Sequence, residues 1–205
     1  GDVDQRAIFL SGESGIGKTA TIRTAVASID NKDISFLTGK FDQLSGDNLG
    51  EAFLKAISSF FVEILSGSSK ELNNWKSELK DRLGKNAKVL AEVIPELSSI
   101  LGELDDPAEL GLFESQIRFE LMLVELVKTI SEKSQKHIVM FIDDLQWASA
   151  RSIGLISKVL SSKELTNFLF IGAYRDNIEQ EHPLHTLTKI EGFGIKVLKM
   201  GPLQN

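Results

Sequence analysis

Gly12-Glu13-Ser14-Gly15-Ile16-Gly17-Lys18-Thr19 fills every fixed position of the phosphate-binding loop pattern GxxxxGK[ST]. Three glycines let the backbone curl so that consecutive N–H groups point into one anion-sized hollow, and a helix starting at the loop's end adds its positive N-terminal dipole. The pattern predicts a nucleoside triphosphate cradled by Gly12, Glu13, Ser14, Gly15, Ile16, Gly17, Lys18, Thr19 and Ala20. In this reading Lys18 reaches the β- and γ-phosphates and serves catalysis, while Thr19 offers its hydroxyl to the Mg²⁺ that bridges them. The flanks suit the motif: Ala7-Ile8-Phe9-Leu10-Ser11 reads as a buried strand, and Ala20–Val26 as a helix.

A second motif lies far downstream. His137-Ile138-Val139-Met140-Phe141-Ile142-Asp143-Asp144 is an apolar strand ending in two carboxylates, the Walker B form, and ligands of open α/β sheets bind beyond the C-terminal ends of strands. Asp143 is the expected second metal ligand, holding the Mg²⁺ shell with Thr19. Asp144 is the expected catalytic base, orienting and deprotonating an attacking water with a side chain one methylene shorter than the glutamate many hydrolytic relatives use. Further on, Phe168–Asp176 reads as a strand whose end carries Arg175. Where such a strand lies between the phosphate-loop strand and the Walker B strand, its end faces the γ-phosphate. Arg175 is therefore the candidate sensor, because a guanidinium donates two charge-assisted bonds and can tell ATP from ADP. A plain ion pair with Asp176 or Glu179 is the competing reading.

The rest of the chain alternates strand-like and helix-like segments, which predicts an α/β fold: a three-layer P-loop domain with a parallel sheet. The expected strands are Ala7–Ser11, Ile34–Thr38, His137–Ile142, Phe168–Ala173 and Lys196–Lys199. About ninety residues separate the second strand from the third, far more than one crossover needs. That helical insertion, residues 42–133, reads as helices over Asn48–Leu65, Lys70–Leu83, Ala87–Leu101 and Phe113–Glu132. The stripe Phe53, Ala56, Ile57, Phe60, Phe61 and Ile64 has helical spacing and reads as core.

With 205 residues, 42% hydrophobic and 25% charged, the chain suits one domain, residues 1–205. A net charge of −6 argues against a nucleic-acid surface spread over the whole domain, and the absence of cysteine removes disulfides, thiolate metal sites and cysteine nucleophiles. No apolar run approaches the roughly 18 residues of a membrane span. A cytoplasmic location is the expectation. His137, His182 and His185 lack a third ligand at metal-binding spacing. Trp147 reads as a packing residue beneath the site's rim. Arg118, four residues after Glu114 on one helix, reads as half of a local pair, with a phosphate-contacting arginine finger as the alternative.

Asp143-Asp144-Leu145-Gln146-Trp147-Ala148, Gly172-Ala173-Tyr174-Arg175-Asp176-Asn177 and His182-Pro183-Leu184 together resemble the STAND class of signal-transduction ATPases, relatives of AAA+ proteins. Gly39-Lys40-Phe41-Asp42-Gln43, Val93–Leu97 and Glu114–Phe119 are similar to the ATPase module of multidomain sensor histidine kinases and serine-threonine kinase hybrids. The resemblance implies a sheet of order 5-1-4-3-2 and an ATP- and Mg-dependent, slowly hydrolysing regulatory switch. Its implied partners are ATP or ADP, other domains of the same polypeptide, and a nucleotide-dependent homo-oligomer. Ser149, Ile178 and Leu44–Gly50 depart from the family's usual pattern. In that family an upstream segment and a downstream helical lid help enclose the adenine, so this chain reads as a core excised from a longer protein. The alternatives are a DNA-associated AAA+ ATPase, against which Arg175 and the acidic charge speak, a small-molecule kinase, and a catalytically weak structural nucleotide-binding module.

Overall fold

Alternation along the strands decides which side chain meets which layer. In the computed structural model, which describes residues 5–29, 32–43, 50–162, 164–189 and 194–201, five strands form one parallel sheet. They are β1 (Gln5–Ser11), β2 (Ile34–Lys40), β3 (His137–Asp143), β4 (Phe168–Tyr174) and β5 (Gly194–Lys199), in the order β2-β3-β4-β1-β5. That order is 5-1-4-3-2 read from the other edge, as the resemblance implied. Leu10, Ile34, Val139, Phe141, Ile171 and Ala173 face the layer of helix α1 (Lys18–Ala27), which contributes Ile22. Phe9, Leu37, Ile138, Met140, Ile142 and Phe170 face the opposite layer, which holds every other described helix with a buried apolar face. One side is thin and the other thick because the described helices of the insertion lie on the second.

The insertion comprises α2 (Glu51–Leu65), α3 (Ser69–Leu83), α4 (Ala87–Ala91), α5 (Pro95–Leu101) and α6 (Leu112–Lys133). All six residues of the α2 stripe are buried in the core, as expected. Each apolar side chain of this size contributes about 1.5–3 kcal/mol when fully buried, so the stripe anchors the insertion on the sheet. Gly39 permits that docking: a Cβ built there would lie 1.9 Å from the Ala52 carbonyl oxygen, so α2 presses directly on the end of β2. The helix expected over Ala87–Leu101 divides in two at Pro95. Proline lacks the N–H and fits the first turn of α5, whose preceding residue Ile94 has left helical geometry. The expected helix start at Asn48 and most of the departure at Leu44–Gly50 lie outside the described residues; within them α2 begins at Glu51. Ser68 caps α3 by accepting from the Glu71 amide at 3.2 Å, the first half of a Ser-x-x-Glu box.

After β3 come α7 (Ala150–Leu160) and, after β4, the short α8 (Leu184–Leu187), both on the thick side. Ser149, where the resembling family continues with aspartate, caps α7 by accepting from the Ser152 amide at 3.1 Å. A hydroxyl does there what a carboxylate would. Strand register aligns Ser11 with Tyr174 and Lys40 with Asp143, so the loops following β1, β2, β3 and β4 open on one edge. No helix among the described residues is long and apolar enough to cross a membrane.

Candidate nucleotide site

The loop after β1 turns through two glycines in left-handed geometry, Gly15 at φ 78° and Gly17 at φ 98°, where a side chain would strain the backbone. Gly17 is the N-cap of α1 and supplies no capping side chain, and no acidic residue sits in the helix's first turn. The first helical bond runs from the Thr21 amide to the Gly17 carbonyl at 2.8 Å. The amides of Lys18, Thr19 and Ala20 therefore precede any intrahelical acceptor. A helix start with neither cap nor carboxylate suits an anionic ligand, which would take the place of both. Lys18 is buried, and its ammonium donates to the carbonyls of Gly12 at 2.7 Å and Glu13 at 2.8 Å. Those two bonds hold the charge inside the loop and leave a third hydrogen for a phosphate oxygen.

Thr19 Oγ1 donates to Asp143 Oδ2 at 2.6 Å, joining α1 to the end of β3. A hydroxyl and a carboxylate are hard oxygen donors, and two of them suit Mg²⁺, which keeps several waters and takes the rest of its shell from phosphates. Asp143 is itself buried. Its other oxygen accepts from the Asp144 amide at 2.9 Å. Asp144 then leaves the strand in left-handed geometry, φ 55°, which aspartate tolerates better than most residues. Its carboxylate is held by Gln146 Nε2, which donates to Oδ1 at 2.9 Å, and by Lys40 Nζ, 3.2 Å from Oδ2. Burial pushes the Asp144 carboxyl up, but the hydrogen bonds from Gln146 and Lys40 and the charges of Lys40 and Arg175 outweigh it and hold the group below its usual range. Lys40 is raised in return by its bond to Asp144.

At the end of β4 the Arg175 amide donates to Gln146 Oε1 at 3.1 Å, and the guanidinium lies over the Trp147 ring, 5.6 Å from its centroid. Asp176 instead faces Lys199 on β5 at 3.8 Å. The Asp176 pairing considered for Arg175 is thus made by another cation. Ser14, Gly15, Gly17, Lys18, Thr19, Ala20, Lys40, Asp143, Asp144 and Arg175 line one cleft of about 400 Å³. The residues singled out in the sequence converge there, with Gly12 and Glu13 contributing carbonyls to Lys18 and Ile16 packing against Gly12. Trp147 is 36% exposed instead of buried beneath the rim, and it serves as a platform for Arg175. Arg118 lies away from this cleft and donates to the Ala108 carbonyl at 2.6 Å, tying down the loop before α6 in place of the expected local pair. His182 and His185 bind main-chain carbonyls, of Gln146 at 3.1 Å and Glu179 at 3.0 Å.

Sequence reasoning left Lys40 and Gln146 without roles. Lys40 lies two residues past the expected end of the second strand, which in fact runs on to it and sets it beside Asp143. For Gln146 the signal was an amide two residues past the second carboxylate.

The sequence profile of the AAA ATPase domain matches residues 1–171. The hybrid signal transduction histidine kinase G of Dictyostelium discoideum is 37% identical over 155 residues, covering 76% of this chain and 4% of that protein. Histidine protein kinase 1 of Candida albicans is 26% identical over 166 residues, covering 75% of this chain and 7% of that protein. The chain thus spans a small fraction of the length of these curated relatives. Among solved structures, a chain of the Drosophila ORC complex bound to AT-rich DNA and Cdc6 covers 98% of this chain and 51% of its own length, at 14% identity and a TM-score of 0.45. With the family profile covering most of its length and similar segments embedded in two histidine kinases, the chain belongs to the AAA ATPase domain family as a P-loop nucleotide-binding module.

Proposed function

We propose that the domain binds Mg²⁺·ATP in the cleft at the start of α1, hydrolyses it slowly, and acts as a regulatory switch within a larger signalling polypeptide. The observation that carries the reading is the meeting of Thr19 Oγ1 and Asp143 Oδ2 at 2.6 Å beside an uncapped helix N-terminus. It joins two hard-oxygen donors to an anion cradle, a combination that suits a metal-bound polyphosphate.

In this proposal Lys18 and the amides of the loop bind the β- and γ-phosphates, and Thr19 and Asp143 hold Mg²⁺, whose charge offsets that developing on the transferring phosphoryl group. Arg175 contacts the terminal phosphate. Asp144 orients a water and accepts its proton. One feature favours slow turnover: Asp144 has a shorter reach than the glutamate that many hydrolytic P-loop enzymes place there. The regulatory role draws support from the similar proteins, both histidine kinases of which this chain spans a few per cent. Nucleotide-dependent contact with other domains, or between copies, is the output this reading predicts.

The test is phosphate release from ATP with and without Mg²⁺, in the parent and in Lys18→Ala and Asp144→Asn variants. Mg-dependent turnover mostly removed in both, about 10²–10⁴-fold in Asp144→Asn, with ATP still bound by Asp144→Asn, is the expected result. Turnover independent of Mg²⁺ or of Asp144 refutes the assignment.

A further inference from the structure

We infer that Gln146 is a positioning residue that couples the proposed base Asp144 to the proposed sensor Arg175, so that one side-chain amide sets the geometry of both. The inference rests on the function proposed above. Gln146 sits in the 3-10 turn Leu145–Trp147 that follows β3, and it is buried. Its amide spans two groups. Oε1 accepts from the Arg175 main-chain N–H at 3.1 Å, and Nε2 donates to Asp144 Oδ1 at 2.9 Å.

Chemistry fixes this orientation. A main-chain N–H can only donate, so the oxygen must face Arg175, and the NH₂ group is left to face a carboxylate that can only accept. Flipping the amide breaks both bonds at once. The main chain of Gln146 is held in turn by His182. The Leu184 amide donates to His182 Nδ1 at 3.2 Å, so the ring proton sits on Nε2, which lies 3.1 Å from the Gln146 carbonyl oxygen and donates to it. The end of β4 and the start of α8 are thereby tied through one residue to the Asp144 carboxylate just past β3.

Glutamine suits the span better than its neighbours in size or chemistry. Asparagine is one methylene short. Glutamate keeps an acceptor for Arg175 but offers no donor and sets a second carboxylate beside Asp144. Methionine fills the space and makes neither bond. A displacement of Arg175 at the terminal phosphate would move the Gln146 amide, and with it Asp144, whose other restraint is Lys40 on β2.

The experiment is a pair of mutant cycles in the whole protein, with Lys18→Ala as the background for turnover at other sites. Gln146→Met should lower kcat about ten- to hundredfold while leaving KM for ATP within about threefold. If Gln146 acts through Asp144, Gln146→Met with Asp144→Asn turns over no more slowly than Asp144→Asn alone. Likewise Gln146→Met should narrow the ATP/ADP preference in the parent and add nothing in Arg175→Ala. Gln146→Glu, which keeps the acceptor for the half-buried Arg175 amide, guards against misfolding and should lose kcat to a similar degree. Additive losses in either cycle, or parent turnover in a folded Gln146→Glu, overturn the inference. Parent turnover in Asp144→Asn instead removes the proposed base and this inference with it, so the two failures are told apart by the single variant.

Discussion

Replacing Thr19 by valine separates the metal from the phosphate cradle. The change keeps shape, β-branching and helix propensity, and it removes one hydroxyl that donates at 2.6 Å to a buried carboxylate. A hydrogen bond to a charged group is worth about 1.5–3 kcal/mol, and water reaching half-buried Thr19 replaces part of it. A net loss of about 1–2 kcal/mol corresponds to a fall in Tm of roughly 2–8 °C for a domain of this size. The larger effect concerns the ligand. One of two protein oxygens proposed for Mg²⁺ disappears, so ATP affinity measured calorimetrically in Mg²⁺ should fall about ten- to hundredfold. With Mg²⁺ chelated, affinity should change little, because Lys18 and the loop amides are untouched. An equal loss with and without Mg²⁺ would place Thr19 on the phosphates alone and remove it from the metal site.

Lys18→Ala should raise the ATP dissociation constant about ten- to hundredfold, and unchanged calorimetric affinity in a folded variant would take Lys18 out of the site. Arg175→Ala should narrow the ratio of ATP to ADP affinity by about tenfold or more, since it removes the charge-assisted contact proposed for the terminal phosphate of ATP. Equal affinities before and after would leave the guanidinium as a cap on Trp147. Glu63 tests the fold instead. Burial pushes its carboxyl up, but hydrogen bonds from Lys136 and from Ser35 at 2.6 Å prevail and hold it below its usual range. A depressed folded value means stability present above the unfolded carboxylate range and lost as pH falls through the folded one. Glu63→Gln should therefore lower Tm at neutral pH, with the gap closing in acid; a gap constant across a pH series contradicts the assignment.

What the sequence showed of this molecule, and what it hid, follow from the range of the interactions. The phosphate loop was legible because its geometry is local: Gly15 and Gly17 need left-handed backbone wherever they occur. The strands were legible because apolar runs of this length bounded by polar residues have few other uses, and Asp143 and Asp144 could be placed at a strand end before any sheet was seen. The break at Pro95 was equally local and was overrun by the apolar periodicity on either side of it. Lys40 and Gln146 belong to a different kind. Lys40 reaches Asp144 only because β2 and β3 pair in a register that sets Lys40 beside Asp143. Gln146 reaches two groups only because Asp144 turns left-handed and β4 lies next to β3. Both act on the one carboxylate that the second motif adds to the first, Lys40 from the neighbouring strand β2 and Gln146 from the turn that follows β3. A carboxylate restrained on both sides is held in place, and the same contacts make its position depend on the ends of β2 and β4. In the proposed function the same two contacts on Asp144 would underlie both the reach of the base and its response to the bound nucleotide.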